Sequence, residues 1–392
     1  MKSSRTPSFR GWSKLLFCVS AIAILYAFLP ASIPVARAAI AHCQFDDTSG
    51  FLHGFHGKLE DASGCEVRLI GVNWFGFETR TFSPHGLWAR NWQEMLDQIA
   101  QAGFNTLRLP FSNQLFDPSS KPQGIDYKLN PDLKGLSGLA LLDRIIEGAG
   151  SDGLKVILDR HDTSADTRPA LWYTDQVPQA RWLQDWVTLA QHYRGNATVI
   201  GADLASEVHG PATWGDGDLR TDWRLAAEEA GNAILANNPD WLIIVEGIEQ
   251  YHGDPYWWGG NLEGARRFPV RLSQPDKLVY SAHDYGPGVY QQSWFQVSKP
   301  SVLTHTLPAI WQKHWAYLQK DGIAPVLLGE FGGRSVGQDR EGVWQNTLLG
   351  FLNANDIGYT YWAWNADSGD TGGILRDDWS TLNQSKLHLL FS

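Results

Sequence analysis

The sequence predicts a single (β/α)8 barrel, also called a TIM barrel, on the strength of three observations. First, about 350 of the 392 residues remain after an N-terminal segment with the features of an export signal, a length that fits one barrel with enlarged loops. Second, short β-branched runs alternate with helical patterns, which favours a parallel sheet with crossover helices. Third, polar and aromatic residues recur where the predicted strands end.

Residues 1–38 have the parts of a signal peptide. Four basic residues precede an apolar stretch from about Leu15 to Leu29, and Ala36-Arg37-Ala38 provides a small-residue cleavage site. The apolar stretch is short for a membrane span, which needs about 20 residues. We therefore expect cleavage and a secreted or periplasmic protein, with retention as an N-terminal membrane anchor as the alternative.

The charge of the mature chain limits its partners. Without residues 1–38, 27 basic and 42 acidic residues remain, a net charge of about −15. Such a surface repels nucleic acid and anionic membranes and favours a neutral ligand. We expect no nucleic-acid partner, no membrane association of the mature form, and a monomer.

Two of the three cysteines, Cys43 and Cys65, follow the signal segment. In an oxidising compartment they can form one disulfide that ties the N-terminal tail to the body. Their spacing fits no metal site that we recognise, so we expect a structural bridge and no bound metal.

The predicted elements alternate along the chain. The strands are expected near residues 68–73, 105–109, 155–159, 199–204, 241–246, 278–283, 326–330 and 358–364. The helices are expected near residues 91–102, 138–150, 180–193, 222–237, 304–320, 341–353 and 382–390. The fifth helix is poorly marked, and we expect an irregular unit there. Glycine-rich residues 40–66 predict a tail and hairpin that close the bottom of the barrel.

Two glutamates, Glu207 and Glu330, each stand at the C-terminal end of an apolar run that predicts a buried strand. An unpaired carboxylate there costs several kcal/mol to desolvate unless something uses or neutralises it. In a parallel barrel, catalytic groups lie at that edge. Two carboxylates across one cleft can perform glycoside hydrolysis, in which one donates a proton to the leaving oxygen and the other attacks or activates water.

Other polar and aromatic residues end the remaining strands. A single strand-end arginine, histidine or tryptophan usually has a structural role, but a set that converges on one rim indicates a functional site. The set comprises Asn73, Trp74, Arg108, Arg160, His161, Ser206, Glu207, Glu246, His283, Tyr285, Glu330, Trp362 and Trp364. Glu246 is compatible with either a structural role or a place in the cleft wall.

Six segments occur in a recognisable order and spacing: Gly71-Val-Asn-Trp-Phe-Gly-Phe-Glu-Thr79, Asn105-Thr-Leu-Arg-Leu-Pro110, Ile157-Leu-Asp-Arg-His161, Tyr280-Ser-Ala-His-Asp-Tyr285, Leu328-Gly-Glu-Phe331 and Trp362-Ala-Trp-Asn-Ala-Asp-Ser-Gly-Asp-Thr-Gly-Gly-Ile374. Together they resemble glycoside hydrolase family 5, and within it the bacterial endo-β-1,4-glucanases of the cellulase subfamily. The resemblance runs from about Arg68 to Trp379. It implies that residues 39–392 form a glycoside hydrolase domain that acts on a β-glucan without a cofactor.

The resemblance also implies roles for single residues. Glu330 corresponds to the nucleophile and Glu207 to the proton donor. Arg108 would keep the nucleophile ionised, and Tyr285 would donate a hydrogen bond to it. The remaining implied roles are the orientation of sugar and acid by His161 and His283, and a sugar platform formed by Trp362.

Charge and burial lead to a prediction about the two carboxyl groups. Arg108 beside Glu330 should lower the pKa of Glu330, whereas the drier setting of Glu207 and its neighbouring carboxylate should raise the pKa of Glu207. Carboxyl groups about 5–5.5 Å apart would make the reaction retain anomeric configuration.

The sequence departs from the family pattern at the fourth strand. The family's His-Asn-Glu-Pro is replaced by Ala205-Ser206-Glu207-Val208. In the family, the asparagine hydrogen-bonds the sugar 2-hydroxyl, and Ser206 is too short to do so directly. Three hypotheses follow: a slow β-glucanase or one of altered specificity, a β-glucan transglycosylase, and a non-catalytic carbohydrate-binding protein.

Tryptophans in the strand-to-helix loops are candidate sugar platforms, because sugar rings present apolar C–H faces. We expect Trp172 and Trp214 to form such platforms. Trp257 and Trp258 are as compatible with packing beneath their own loop.

Overall fold

The computed structural model describes residues 50–392. The strands in this part of the chain are β1 (His53–Phe55), β2 (Lys58–Glu60), β3 (Glu66–Val67), β4 (Ile70–Asn73), β5 (Thr106–Ser112), β6 (Lys155–Asp162), β7 (Val199–Asp203), β8 (Leu242–Glu246), β9 (Gln250–Tyr251), β10 (Asp254–Pro255), β11 (Leu278–His283), β12 (Val326–Phe331) and β13 (Gly358–Tyr361). The α-helices are α1 (Trp92–Gln101), α2 (Gly138–Ser151), α3 (Gln179–His192), α4 (Trp223–Asn237), α5 (Leu303–Trp311), α6 (Tyr317–Lys320), α7 (Arg340–Ala354) and α8 (Gln384–Phe391). The predicted signal peptide and Cys43 lie outside these described residues.

Eight of the strands close into a parallel barrel in the order β4-β5-β6-β7-β8-β11-β12-β13. Each neighbouring pair is parallel, including the pair of β13 with β4 that completes the ring. The prediction of a (β/α)8 barrel is therefore confirmed, and its eight strands match the predicted positions. Because all eight strands run the same way, their carboxyl ends lie on one rim.

Several helices begin at a polar side chain that caps their first turn. The side chain of Asn91 accepts hydrogen bonds from the backbone N–H groups of Gln93 and Glu94 at the start of α1. Ser137 and Asp339 cap α2 and α7 in the same way. Such caps satisfy donors that have no partner within the helix. Within residues 50–392, no helix is both long enough and apolar enough to span a bilayer.

The unit after the fifth barrel strand lacks an α-helix, and the sequence predicted none there. Between β8 and β11 the chain forms the β9–β10 hairpin and two short 3-10 turns, Glu263–Arg266 and Pro275–Lys277, instead of an α-helix. The predicted fifth helix, near residues 304–320, is irregular as expected, because a π-helical turn, Gln312–Ala316, separates α5 from α6.

The barrel interior changes from apolar to charged along its axis. Alternate residues of a strand point to the same side, so Leu242, Ile244 and Glu246 of β8 follow one another along the inner face. Leu242 and Ile244 belong to a buried apolar cluster whose other members are Leu52, Leu59, Val67, Leu69, Ile157, Ile200, Val279 and Leu327. Glu246 lies at the opposite end, near the rim where the strands finish.

The N-terminal tail and hairpin close the apolar end, as predicted. Strands β1, β2 and β3 form a small antiparallel sheet, and Leu52 and Leu59 pack into the barrel cluster. Two lysines hold the tail, one on β6 and one just before β11. Lys155 Nζ donates to the carbonyl of Gly50 at 3.1 Å, and Lys277 Nζ donates to that of Leu52 at 2.9 Å.

Candidate active site

Glu330 lies near the end of β12, where the barrel register is irregular. The pairing of β11 with β12 shifts at Ala282/His283, and that of β12 with β13 shifts between Leu328 and Phe331. Such bulges redirect side chains near barrel rims. The Glu330 carboxylate is buried and directed at the arginine of β5.

Glu207 follows β7 in a left-handed backbone conformation, with φ of 55°. A non-glycine residue in this region is held there by its surroundings and is often functional. Here the Glu207 N–H donates to Glu246 Oε2 at 2.7 Å. Gly259 lies close above this contact, since a Cβ there would be 2.2 Å from Glu246 Oε2. Glu246 therefore positions the Glu207 backbone and is not an exposed cleft-wall residue.

Arg108 is the centre of the charged end of the barrel. Its guanidinium is fully buried and lies 3.0 Å from Asp159, 3.0 Å from Asp203, 3.1 Å from Glu246 and 2.7 Å from Glu330. The carboxylate oxygens of Asp159, Asp203 and Glu246 are within 4.8 Å of one another, the spacing of a metal-binding group. The Arg108 guanidinium occupies the centre of that group and supplies one positive charge to it.

Several donors converge on Glu330. Arg108 Nη1 donates to Oε1 at 2.7 Å, and the Tyr285 hydroxyl donates to Oε2 at 2.7 Å. His283 Nδ1 lies 3.6 Å from Oε2. Burial opposes ionisation, but the charges of His283, Arg108 and His161 outweigh it and hold the pKa of Glu330 well below its usual range. Glu330 is thus a carboxylate at neutral pH, as the sequence predicted.

His161 and Trp362 form the wall beside this carboxylate. His161 Nδ1 lies 2.7 Å from Asp159 Oδ2, which fixes the ring orientation. The imidazole stacks on Trp362 with centroids 5.2 Å apart and planes 7° apart, and Phe75 stacks on Trp362 at 5.4 Å. Trp362 is half-buried and lines the cleft, a placement suited to a platform beneath a sugar.

Both oxygens of Glu207 are engaged by basic groups. His283 Nδ1 lies 3.1 Å from Oε1, and Arg168 Nη1 donates a short hydrogen bond to Oε2. Burial alone would raise the pKa of Glu207, but the charge of Arg168 and the hydrogen bond from His283 lower it below its usual value. The predicted raised pKa is therefore wrong for this structure, because the prediction did not include Arg168.

The two glutamates face one cleft. An oxygen of Glu207, His283 Nδ1 and an oxygen of Glu330 all lie within 4.8 Å of one another. The cleft around them has a volume of about 680 Å³ and is lined by His161, Arg168, Glu249, Tyr256, Trp257, Trp258, Tyr285, Tyr290 and Trp362, among others. The two carboxylates are closer than the 6.5–9.5 Å typical of inverting glycosidases, which favours the retaining arrangement.

Comparison with known proteins agrees with this geometry. The sequence model of the cellulase family, glycosyl hydrolase family 5, matches residues 60–368. The chain belongs to glycosyl hydrolase family 5. It is 48% identical to an endoglucanase of Paenibacillus polymyxa over 97% of this chain and 94% of that one.

Solved structures of family 5 enzymes show the same fold. The catalytic domain of the major endoglucanase of Xanthomonas campestris is 41% identical, with a TM-score of 0.82 over 87% of this chain and 98% of that one. The endocellulase of Pyrococcus horikoshii, solved with cellotetraose, is 41% identical, with a TM-score of 0.81 over the same shares of the two chains. The present chain is thus a glycoside hydrolase on the cellulase scaffold.

Two aromatic residues predicted to be sugar platforms in this family 5 domain are buried. Trp172 is 0% exposed, packs on Trp223 at 5.5 Å and donates from Nε1 to Gln179. Trp214 is 4% exposed and donates from Nε1 to the carbonyl of Phe268 at 2.8 Å. Neither Trp172 nor Trp214 has a ring face available to a sugar, so the predicted platform role of both residues is wrong.

Trp258 takes the exposed position instead. It is 42% exposed, lines the cleft and stacks on His209 with centroids 3.7 Å apart. Trp257 also lines the cleft but is buried, with its ring edge-on to Tyr285 at 6.0 Å. Burial at these four tryptophans depends on how each loop folds, which a local sequence signal does not reveal.

Ser206 lies beside the acid/base candidate as predicted. Its side chain is buried, and its hydroxyl has no hydrogen-bond partner among residues 50–392. A buried polar side-chain atom without a partner is uncommon in folded proteins. Cys65, at the opposite end of the barrel, is disulfide-bonded, while its predicted partner Cys43 lies outside the described residues.

Sequence reasoning missed Arg168, Asp159 and Asp203 as parts of this site. The two aspartates had a usable signal, since a carboxylate inside an apolar strand requires a buried cation such as Arg108. Arg168 had no such signal, because it lies in the loop between β6 and α3, among ordinary polar residues.

Proposed function

We propose that this protein is an endo-β-1,4-glucanase that acts with retention of anomeric configuration. The observation that carries the proposal is the pair of glutamate oxygens within 4.8 Å of each other in the cleft, together with the buried Arg108 that keeps Glu330 ionised. The endoglucanase and endocellulase names of the similar proteins support β-1,4-glucan as the substrate.

The first half of the reaction forms a glycosyl-enzyme. Glu330 attacks the anomeric carbon, the bond from that carbon to the glycosidic oxygen breaks, and a protonated Glu207 transfers its proton to the leaving oxygen. Tyr285 and Arg108 hold Glu330 on both oxygens, which fixes the attacking carboxylate before substrate arrives.

The second half releases the sugar. Glu207, now a carboxylate, accepts a proton from water as the water oxygen bonds to the anomeric carbon and the ester to Glu330 breaks. His283 lies within 4 Å of both carboxylates and is held cationic by Glu246 and Glu330, which raise its pKa well above the usual value against the effect of burial. It therefore contributes positive charge to both steps.

We also propose that the mature protein acts outside the cytoplasm as a monomer. The export features of residues 1–38 support secretion or a periplasmic location. The acidic surface of the mature chain supports action on a neutral polymer.

The test combines two variants with product analysis. Glu330→Gln and Glu207→Gln should each lower hydrolysis of cello-oligosaccharides by several orders of magnitude while melting temperature and cellotetraose binding persist. Glu94→Gln, on the exposed face of α1, is the matched control and should retain full activity. Full activity in either cleft variant, or no turnover of linear or mixed-linkage β-glucans by the parent protein, would refute the proposal.

A further inference from the structure

We propose that Arg168 is a positioning residue that holds Glu207 in its base form and sets the upper pH limit of the glycosylation step. The inference rests on the proposed function and goes further, because it assigns a residue that discriminates between the two half-reactions.

The geometry of the contact is the first observation. Arg168 comes from the loop between β6 and α3, and its guanidinium reaches into the cleft, where Nη1 donates to Glu207 Oε2 and Nε donates to Asp162 Oδ1 at 3.0 Å. The other Glu207 oxygen faces His283 at 3.1 Å. A carboxyl group with a basic donor on each oxygen has no oxygen free to carry a proton toward a leaving group.

Among the ionisable groups around Glu207, Arg168 is the one whose side chain has room to move. The ionisable groups that face Glu207 are Arg168 from the β6–α3 loop, His283 from β11, Glu330 from β12 and Glu246 from β8, the last through the Glu207 N–H. His283 and Glu246 are fully buried in the barrel, whereas the Arg168 side chain is 28% exposed. Arg168 has a second carboxylate partner, Asp162 at 3.0 Å, which would remain available to it without Glu207.

The two half-reactions need different protonation states of Glu207, and the contact with Arg168 favours one of them. Glycosylation needs a proton on Glu207 that passes to the glycosidic oxygen as the anomeric carbon bonds to Glu330. Deglycosylation needs the Glu207 carboxylate, which takes the proton of the attacking water. A cation on Glu207 favours the second form and opposes the first, so Arg168 has to withdraw toward Asp162 when the leaving group enters.

The expected pH dependence follows from the sign of this effect. An opposite charge at contact distance lowers a carboxyl pKa by about 1–3 units. Glycosylation then declines at a correspondingly lower pH, because the proton donor is lost as pH rises through the Glu207 pKa. Removal of the Arg168 charge raises that pKa and moves the decline to higher pH.

The experiment compares the full pH profile of kcat/KM for the parent, Arg168→Gln and Arg168→Lys on two substrates. Cellotetraose needs a proton on its leaving oxygen, whereas 2,4-dinitrophenyl β-cellobioside has a leaving group that departs without one. For Arg168→Gln we expect the alkaline limb on cellotetraose to move up by about one unit or more, a roughly tenfold gain at a pH on that limb. The profile on the dinitrophenyl substrate should be unchanged, and Arg168→Lys should keep the parent limb.

Controls separate this role from a general effect of charge or folding. Arg181→Gln, at the start of α3, removes an arginine that pairs with Asp117 and Asp185 outside the cleft, and it should leave both profiles unchanged. Titration of the Glu207 carboxyl by ¹³C NMR should show a higher pKa in Arg168→Gln than in the parent, without reference to turnover.

The outcomes are distinct. Superimposable cellotetraose profiles for the parent and Arg168→Gln would overturn the inference while leaving the proposed function intact. An equal loss on both substrates would also overturn it, because Arg168 would then contact the substrate directly. A parent protein inactive on both substrates would overturn the proposed function, and this inference with it.

Discussion

Replacement of Arg108 by methionine tests the charged end of the barrel most directly. Methionine keeps much of the length and packing of the side chain but removes the cation and its donors. The structure places that cation within 3.1 Å of four carboxylates, none of which has more than 3% of its side chain exposed. Removing one partner of a buried ion pair costs about 3–5 kcal/mol.

The cost does not multiply by four, because two of the carboxylates can hold protons. Burial raises the pKa of Asp203 well above its usual range even beside Arg108, and burial also raises the pKa of Glu246. The loss therefore falls mainly on Glu330 and Asp159. We expect a free-energy loss of about 4 kcal/mol at pH 7. At about 2.1 cal/mol/K of unfolding entropy per residue over about 350 residues, the melting temperature should fall by about 5 °C.

The loss should also depend on pH in a defined direction. In the parent, the lowered pKa of Glu330 contributes stability that is present above the unfolded pKa and lost as pH falls through the folded pKa. Without Arg108 the folded pKa rises, so the difference between parent and variant should shrink from pH 7 toward pH 4.

Calorimetry from pH 4 to 7 on the parent, Arg108→Met and Arg181→Met provides the measurement. Arg181 is 34% exposed and its surface pairs contribute about 0–1 kcal/mol. An Arg108→Met melting temperature within 2 °C of the parent at pH 7, or a loss equal to that of Arg181→Met, would refute the reasoning.

Three further predictions concern the cleft. In a Glu330→Gln background, Trp258→Ala should weaken cellotetraose binding about tenfold, measured by calorimetry, with little change in melting temperature. Trp172→Ala should instead cost about 3–5 kcal/mol of stability, because that side chain is buried. Equal stability losses in the two variants would contradict the assignment of Trp258 to the cleft and Trp172 to the core. Ser206→Asn should raise kcat/KM on cellotetraose about a hundredfold, about 3 kcal/mol, if the missing amide limits turnover, and a fall on cellotetraose would instead mark Ser206 as an adaptation. Gly259→Ala should lower kcat about tenfold or more, because its Cβ would lie 2.2 Å from Glu246 Oε2 and displace Glu207. Gly217→Ala, also at positive φ but with open space around it, should show only the backbone cost of about 1–2 kcal/mol and unchanged kcat.

The barrel and the central groups of the site could be predicted because their signals are local and repeated. Each barrel strand corresponds to an apolar run in the sequence, and Glu207 and Glu330 lie at the ends of two such runs. Once the strands are parallel, the fold itself brings those ends to one rim. The position of Arg108 on β5 follows from the same rule.

The loop residues could not be predicted in the same way. Trp172 and Trp258 both lie in strand-to-helix loops, yet one is buried against Trp223 and the other is exposed beside His209. The ion pair of Arg168 with Glu207 spans 39 residues and depends on the path of the whole β6–α3 loop. No periodicity or cap encodes such a path, so the lowered pKa of Glu207 could not be predicted from local patterns.

The apolar cluster at the closed end of the barrel has a consequence for how the chain reaches its native state. Leu52 and Leu59 from the start of the described region lie in contact with a cluster that includes Leu327 from near its end. Contacts across so large a sequence separation form slowly, because much of the chain must be ordered first. A variant that lacks residues 50–60 should therefore accumulate as a partly folded barrel whose apolar end is exposed to water and binds hydrophobic dyes. This is expected even though every residue of the cleft is still present.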